Sequence, residues 1–419
     1  MNITTFRAFR SRNYRLYFTG QSVSLIGTWM QKTAVYWLIY IQTHSTFMLG
    51  VAVFAAQFPS FLFSLLGGVI SDRYDRYRVL LLTQVLSMVQ AILMTLLVLF
   101  NAYTVWEILS LSVVLGIINA FDVPARQSLV YDMVDHKEDL SNAIALNSSM
   151  VNLARLIGPA ISGIVLETLG AGMCFMINAA SFAAVLISLL LMHLPKHLPH
   201  IDNKKVLLEL KEGFSYLKQT PSIGYIVLFV ACSSLFVLPF TTLFPVYAKV
   251  IFAGNASTFG YLNSFIGLGA ICGTFFLASL KPGTDLKNIL FINTLIFGIG
   301  LILFSHMTNL PLALGFAVIT GFGMMSQTTV SNTIIQTTVS PEMRGRVISY
   351  FAMAFFGMLP LGGLLIGSVS HYLGTPNTLL AEGIAALIIT SLFSHFLRKD
   401  VIKRKEHPGG MVADGHETS

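Results

Sequence analysis

Long apolar runs separated by short polar segments constrain this chain more than any other feature. The runs at about residues 47–70 and 79–100 each exceed 20 residues, and only the polar segment 71–78 separates them. A helix needs about 20 apolar residues to cross the hydrocarbon core of a bilayer. The chain is 54% hydrophobic and only 11% charged, whereas soluble domains carry about 25% charged residues. These patterns indicate an integral membrane protein embedded in the lipid bilayer.

Twelve such runs are predicted to form transmembrane helices, in two bundles of six. The prediction is an all-α integral membrane protein with an N-terminal bundle at 1–193, a connector at 194–220, a C-terminal bundle at 221–398 and a tail at 399–419. The predicted helices lie at about 16–41, 47–71, 79–100, 105–133, 141–168, 173–193, 222–246, 258–280, 287–307, 312–338, 346–371 and 377–397.

The connector and the tail are the longest polar pieces. Apolar residues recur in the connector at helical spacing from Val206 to Leu217, with charged residues between them. This pattern is typical of an interfacial amphipathic helix, and a simple linker with one helical turn is the alternative. The tail His407–Ser419 is predicted to be disordered.

The Lys and Arg residues predict the orientation. All but four of the 26 basic residues fall on the side that holds both termini and the connector. Because basic residues concentrate in cytoplasmic segments, both termini are predicted to be cytoplasmic. The net charge of +7 is thus mainly a topology signal, and we expect no nucleic-acid partner. The four exceptions are Lys32, Arg126, Arg155 and Lys249, of which the first three lie within predicted helices.

An internal repeat relates the two bundles. A shift of 204 residues aligns residues 156–163 with 360–367, and Gly170 with Gly374. Parallel duplication of a six-helix unit is a known transporter architecture. Small residues let membrane helices approach closely. The residues predicted to pack helices together in this way are Gly158, Pro159, Gly163, Gly362 and Gly367.

The polar segment between the second and third predicted helices carries a distinctive pattern. Gly68, Asp72, Arg73 and Arg76 match the sequence Gly-x-x-x-Asp-Arg-x-Gly-Arg-Arg, and Asp75 stands where glycine is usual. The segment therefore resembles the signature loop of the major facilitator superfamily. The resemblance implies two six-helix bundles, and the predicted fold is the major facilitator fold.

That resemblance also implies a gating loop. Asp72 would contact the positive N-terminal end of the eleventh helix, and Arg76 would pair with Asp132 at the end of the fourth. These contacts would hold the outward-facing state and break when the cytoplasmic side opens. The alternative is that the arginines, Arg73 among them, only set the topology.

Further segments narrow the resemblance and extend it over nearly all of residues 1–400. They resemble the branch of drug and siderophore exporters that includes the enterobactin exporter and macrolide efflux proteins. Membership would imply a central cavity and proton-driven export of amphipathic small molecules across the bacterial inner membrane. The segments are 9–15, 20–21, 27–31, 121–127 and 142–155.

Charged residues within predicted helices are the candidate coupling residues, because charge inside a membrane is costly and usually functional. Asp122 and Arg126 lie one turn apart and share a helix face. The pair is either a proton-binding carboxylate beside a cation or a structural ion pair. Arg155, one turn from Asn152, could neutralise Asp122, bind an anionic substrate group or pair structurally.

The remaining polar candidates lie in the first and last helices. Lys32 and its neighbour Gln31 could line a substrate cavity, as could Asn152, or Lys32 could extend towards the outer surface. Glu382 is predicted to face lipid or the interface rather than to serve coupling. A few aromatic residues could line the cavity, with candidates Tyr36, Trp37, Phe54 and Phe58.

Other functions are compatible with the same sequence features. An importer of a siderophore-like substrate or a lipid flippase would use the same fold. A membrane-embedded enzyme or receptor is disfavoured, because the sequence has no metal cluster, no nucleophile–base arrangement and no phosphate-binding loop. We therefore expect no enzyme activity, no cofactor and no metal. The expected partners are a small-molecule substrate and a proton as counter-ion, with Na⁺ as the alternative, and the chain is expected to be a monomer.

Overall fold

The structure is a computed structural model that describes residues 4–101, 103–194, 206–281 and 283–406. Within these ranges every regular element is a helix. The predicted all-α class is therefore confirmed.

Six long helices form the N-terminal half, after a 3₁₀ turn at Thr4–Arg10. Their bounds agree with the predicted ones to within a few residues at most ends. They are α1 (Arg12–Thr43), α2 (Thr46–Arg73), α3 (Arg76–Leu99), α4 (Val105–Met133), α5 (Leu140–Thr168) and α6 (Ala171–Leu190).

One short helix and six long ones follow. The sixth of the long ones runs on beyond the membrane-length segment into the predicted tail. They are α7 (Val206–Gln219), α8 (Pro221–Ile251), α9 (Ala256–Ala278), α10 (Leu286–Ser305), α11 (Leu310–Thr338), α12 (Pro341–Leu373) and α13 (Thr375–Glu406).

Eleven of the described helices are long and apolar enough to cross a membrane. The helix α1 has 32 residues and is also long enough, but residues such as Gln21, Gln31 and Lys32 make it more polar than the others. The helix α7 has only 14 residues and is too short to span. The predicted twelve-helix fold is therefore confirmed, with α7 as an additional connecting helix.

The same packing order recurs in both halves. In the first, α2 packs on α4, and α3 packs on α4 and α6; in the second, α9 packs on α11, and α10 packs on α11 and α13. Likewise α1 contacts α5 and α6 as α8 contacts α12 and α13. This repetition is the three-dimensional counterpart of the internal sequence repeat. The predicted domain limits stay predictions, and part of the connector, 195–205, lies outside the described residues.

The connector helix α7 lies against the start of α12. Glu212 forms an ion pair with Arg346 at 2.8 Å, and the Tyr350 hydroxyl donates to the carbonyl of Leu210 at 2.9 Å. Phe214 packs on the same tyrosine ring but remains 61% exposed. The alternative of a linker with one helical turn is therefore wrong. The predicted disorder of 407–419 concerns residues outside those described.

The two halves touch most tightly near one end of the molecule, which we call the closed end. It holds the connections 44–45, 169–170 and 252–255. A methyl group on Gly163 of α5 would lie 2.8 Å from the carbonyl oxygen of Ala256 in α9. On the other side of the interface, a methyl group on Gly50 of α2 would lie 2.7 Å from the Gly363 carbonyl oxygen of α12. The helix backbones are thus in direct contact there.

Polar and aromatic contacts reinforce the closed end. The Glu167 carboxylate of α5 accepts hydrogen bonds from Asn255, at 2.5 Å, and from Ser257. Trp37 of α1 stacks on Phe259 of α9 with ring centroids 6.0 Å apart. The opposite end, which we call the basic end, carries α7 and the cationic segment that begins at Arg73. There the first turns of α12 pack within the C-terminal half and on α7.

Candidate functional site

The site is built around Trp29, at the middle of α1. Gly158 of α5 lies directly against this residue, because a methyl group on Gly158 would sit 2.5 Å from the Trp29 Cβ. The absence of a side chain at Gly158 therefore lets the indole lie close to α5. One turn before Gly158 on the same helix is Arg155, and one turn after Trp29 on α1 is Lys32.

Lys32 and Arg155 both lie over the Trp29 ring. The Lys32 Nζ is 4.9 Å from the ring centroid, and the Arg155 Cζ is 5.4 Å from it. Both side chains are half-buried, and the Arg155 Nε is buried without a hydrogen-bond partner. In the described part of the chain no acidic side chain pairs with either cation. Two unpaired cations beside one indole favour an anionic ligand with an apolar body.

Further aromatic residues lie on α1 and α2. The Tyr36 ring lies 5.9 Å from the Lys32 Nζ. Phe54 and Phe58 stack with ring centroids 4.5 Å apart. Phe61 follows and packs on Gly357 of α12, where a methyl group would lie 2.7 Å from the ring. The two cations thus lie on α1 and α5, and a run of stacked aromatic rings lies on α2.

The site lies next to the contact between the halves. A methyl group on Gly267 of α9 would sit 3.4 Å from the Arg155 carbonyl oxygen, and Ser264 donates to the Leu156 carbonyl at 2.7 Å. Asn152, one turn before Arg155, is half-buried. The turn of α5 that carries Arg155 is therefore in direct contact with α9.

The side chain of Gln31 points away from the two cations, although Gln31 directly precedes Lys32 in the sequence. Its side-chain amide donates to Gln90 at 3.0 Å and accepts from Asn178 at 2.7 Å. Only 2% of the residue is exposed. The amide network joins α1, α3 and α6, which is a packing role. The prediction that Gln31 lines the substrate cavity therefore has no support in its contacts.

Asp122 is the centre of a second, fully paired cluster. One carboxylate oxygen accepts from Thr83 at 2.9 Å and from Gln84 at 2.7 Å, and the other lies 3.3 Å from the Arg126 Nε. Asp122 is only 4% exposed. The carboxylate therefore joins α4 to α3 through charge-assisted hydrogen bonds. Arg155 is not among its partners, so the prediction that Arg155 neutralises Asp122 is wrong in this arrangement.

The described ion pair of the signature loop lies within the N-terminal half. The Arg76 Nη1 lies 4.0 Å from the Asp132 Oδ2, as predicted. The pair joins α3 to α4 and not one half to the other. The prediction that this contact breaks when the basic end opens stays a prediction. Arg73 is exposed, and the side chain of Asp72 lies outside the described residues.

The predicted packing glycines lie at helix contacts, with one addition. Methyl groups on Gly362 and Gly367 would lie 2.7 Å from Pro239 and 2.6 Å from the Thr46 carbonyl oxygen. In the signature segment, Gly68 has no neighbour within 4 Å, whereas the adjacent Gly67 lies against the Ala120 carbonyl of α4. Gly67, which the motif does not include, is therefore the packing glycine of this segment.

Glu382 of α13 is the functional candidate that sequence reasoning placed wrongly. It is 3% exposed and packs inside the C-terminal half, so the predicted lipid-facing or interfacial position is wrong. Leu379, Ala386 and Phe393 share the helix face of Glu382, and all three are buried.

Comparisons with known proteins agree with this architecture. A family described as transmembrane secretion effectors matches residues 3–410. The staphyloferrin A transporter of Staphylococcus aureus is 28% identical over 412 residues, which cover 95% of this chain and 99% of the relative. The enterobactin exporter of Escherichia coli is 27% identical, covering 90% and 89%. Macrolide efflux protein A of Streptococcus pyogenes is 22% identical, covering 90% and 95%.

Solved structures share the fold. An inward-facing, unoccupied bacterial homologue of the human lysosomal transporter Spinster superposes with a TM-score of 0.74 at 16% identity, over 95% of this chain and 98% of the other. The nucleoside transporter NupG gives a TM-score of 0.70 at 15% identity, over 92% and 98%. At these identities the likeness concerns the fold alone.

Proposed function

Because this chain belongs to the transmembrane secretion effector family of the major facilitator superfamily, we propose that it exports anionic amphipathic molecules of the siderophore or drug-like class. Its relatives are transporters, exporters and efflux proteins, and not enzymes. We infer that it acts in the bacterial inner membrane by alternating access, with both termini in the cytoplasm. In that orientation the closed end faces outwards and the basic end faces the cytoplasm.

The observation that carries the substrate class is the cation pair over Trp29. Lys32 and Arg155 are half-buried, lack acidic partners among the described side chains and face an indole. A guanidinium presents a planar fork that fits carboxylate or phosphate, whereas an ammonium supplies a point charge. An anionic substrate would neutralise both cations, and its apolar body would lie against Phe54 and Phe58.

Alternating access is supported by the way the halves meet. At the closed end, contacts between small residues let α5 slide or part from α9 without an interlocked side chain, as at Gly163 and Gly260. Glu167 adds a polar tie to Asn255 that is exposed and therefore easily broken. If the halves parted at the closed end and came together at the basic end, a ligand at Arg155 would lose access to the basic end. It would instead gain access to the closed end.

We propose proton antiport, with Asp122 as a proton-binding residue and Arg126 as its cation. Protonation of Asp122 would remove its charge and weaken its contact with Arg126 at 3.3 Å. Arg126 would then be free to form another contact. The position of Pro124 between the two residues leaves α4 without one of its backbone hydrogen bonds, which makes a local change easier.

Replacing Asp122 by Asn should lower transport by about 10-fold or more and flatten its dependence on external pH. The variant leaves a buried Arg126 without its carboxylate, which costs about 3–5 kcal/mol in comparable pairs. Transport at several pH values and thermal unfolding should be measured together. Asp135→Asn, at an exposed acid near the basic end, is the matched control. Lower stability with an unchanged pH profile would reduce Asp122 to a structural ion pair.

The export and coupling proposals can be tested together in inside-out membrane vesicles. Respiration acidifies the vesicle interior, and a pH-sensitive dye reports proton efflux when a substrate is added. Siderophores and drugs that combine a carboxylate or phosphate group with an apolar body would serve as the first compounds. A substrate-dependent release of protons supports antiport. Uptake of the same compound by intact cells, or movement of lipid alone, would instead favour an importer or a flippase.

A further inference from the structure

Glu382 is a buried carboxyl group that has no polar partner. Both its oxygens are buried without a hydrogen bond in the described part of the chain, and the residue is 3% exposed. No basic side chain among the described residues forms an ion pair with it. It differs in this respect from Asp122, which has three donors.

The helix α13 is tightly packed where it carries Glu382. The next residue, Gly383, meets α10 directly, because a methyl group on it would lie 2.9 Å from the Gly298 carbonyl oxygen and 2.7 Å from the side chain of Ile302. The titratable neighbour is Tyr247 of α8, which packs on the same part of α10 as Gly383 does. That hydroxyl already donates to the Ser305 carbonyl of α10 at 2.6 Å.

Other titratable groups near this end do not reach the carboxyl. Lys249 follows Tyr247 in α8 and is exposed. His306 at the end of α10 is exposed, and its ring contacts the Ser305 hydroxyl at 3.0 Å. A charged carboxylate without donors or a cation is strongly disfavoured in such a place, whereas the neutral acid is tolerated. When the two halves are in contact at the closed end, as they are in this structure, Glu382 is therefore accommodated as the neutral acid.

Tyr247 connects this carboxyl to the contact between the halves. The helix α8 is interrupted after Phe236, continues as a 3₁₀ segment and ends in a π-helical turn that begins at Tyr247. Such turns are uncommon and occur often at functional sites. The preceding residue, Val246, packs on Tyr40 and Leu49 of the N-terminal half. A change at Glu382 would thus reach the closed end through two adjacent residues of α8.

We propose that Glu382 is a second proton-binding site, in the C-terminal half, whose proton holds the closed end together through Tyr247 and Val246. Release of the proton to water leaves an ionised carboxylate that must gain water or a donor. The packing of α13, α10 and α8 then loosens, and the closed end parts. The direction agrees with antiport, because the proton-loaded carrier would face the cytoplasm. This inference rests on alternating access but not on the identity of the substrate.

The test measures the closed end directly, without substrate. Spin labels at Leu169→Cys and Tyr372→Cys, two exposed positions of opposite halves, report the distance across it. Cys232 and Cys272 are replaced by Ser, and Cys174 is fully buried. The purified protein is examined between about pH 5 and about pH 9, a range over which buried glutamates are known to titrate.

The labelled protein that retains Glu382 should show a short distance between the two labels at low pH. As the pH rises, a growing fraction of molecules should show a long distance. The neutral variants Glu382→Gln and Glu382→Leu should keep the short distance at every pH. If one of them fails to fold, the other suffices for the test. Glu382→Asp should restore the response. Glu107→Gln removes an exposed charge at the same end and should leave the response intact.

Two results would overturn the proposal. One is a pH response of Glu382→Gln equal to that of the parent protein. The other is a parent protein whose distance does not change with pH. A wrong substrate class would leave the distance response unaltered, so failure of the proposed function and failure of this inference can be told apart.

Discussion

Neutralising Lys32 and Arg155 together by substitution with Gln should reduce transport of an anionic substrate about 100-fold or more. Hydrogen bonds to charged groups contribute about 1.5–3 kcal/mol each, so two lost contacts of this kind are enough for the effect. Both cations lie over Trp29 without an acidic partner among the described residues, so their removal exposes no buried acid. The protein should therefore remain folded while binding is lost. Transport rate and substrate affinity, followed through Trp fluorescence, should be measured in the double variant.

The control keeps the same change in net charge at other positions. Lys249→Gln combined with Lys281→Gln removes two exposed cations and should leave transport within about twofold, because exposed charges contribute little. Arg155→Lys retains the charge but loses the planar fork, and should fall between the parent and the double variant. Equal losses in the two double variants would mean that net charge matters and the site does not. Unchanged transport in the Lys32→Gln, Arg155→Gln double variant would show that the two cations do not bind the substrate.

Replacing Gly260 of α9 by Leu should trap the closed end in its open state and abolish transport. Even a methyl group there would lie 2.5 Å from the Pro159 carbonyl oxygen and 3.1 Å from the Gly163 Cα. These are backbone atoms of α5 and cannot rotate away. Because the contact joins the two halves and not helices within one half, the bundles can fold and still fail to close.

Gly367→Leu tests the same idea on the other side of the interface, where a methyl group would meet the Gly50 Cα at 2.9 Å. Cysteines introduced near the closed end should become accessible to a water-soluble thiol reagent in both variants. Gly315→Leu is the matched control, since Gly315 of α11 is exposed and has no neighbour within 4 Å. Full activity of Gly260→Leu and of Gly367→Leu would show that the halves need not meet as they do in this structure.

The helices and their order could be predicted because each apolar run is close to the thickness of a bilayer. The repeat of two six-helix units followed from matching glycine patterns, and the packing order of the helices repeats in the same way. The cations of the site could also be singled out, because a charge in an apolar run stands out against its surroundings. Lys32 and Arg155 were recognised for this reason, although not as a pair.

The pairings between helices could not be predicted from the sequence. In a membrane both the lipid-facing and the buried side of a helix are apolar, so periodicity does not identify the inner face. Gln31 and Lys32 are adjacent, yet one lies in an amide network and the other over an indole. Which partner Asp122 chooses depends on the rotation of α3, which brings Thr83 and Gln84 towards α4. The burial of Glu382 depends on the contact of Gly383 with α10 in the same way.

Export of an anionic substrate bound at Lys32 and Arg155 is tested most directly by mass spectrometry of small molecules in cells and in their medium under iron limitation. Three strains should be compared: a deletion strain, one that carries the protein, and one that carries the Lys32→Gln, Arg155→Gln double variant. We expect an anionic amphipathic compound that is retained in the deletion and double-variant strains and released by the strain with the unmodified protein. A neutral or cationic exported compound, equal release by the double variant, or accumulation of the compound inside cells that carry the protein would contradict the account.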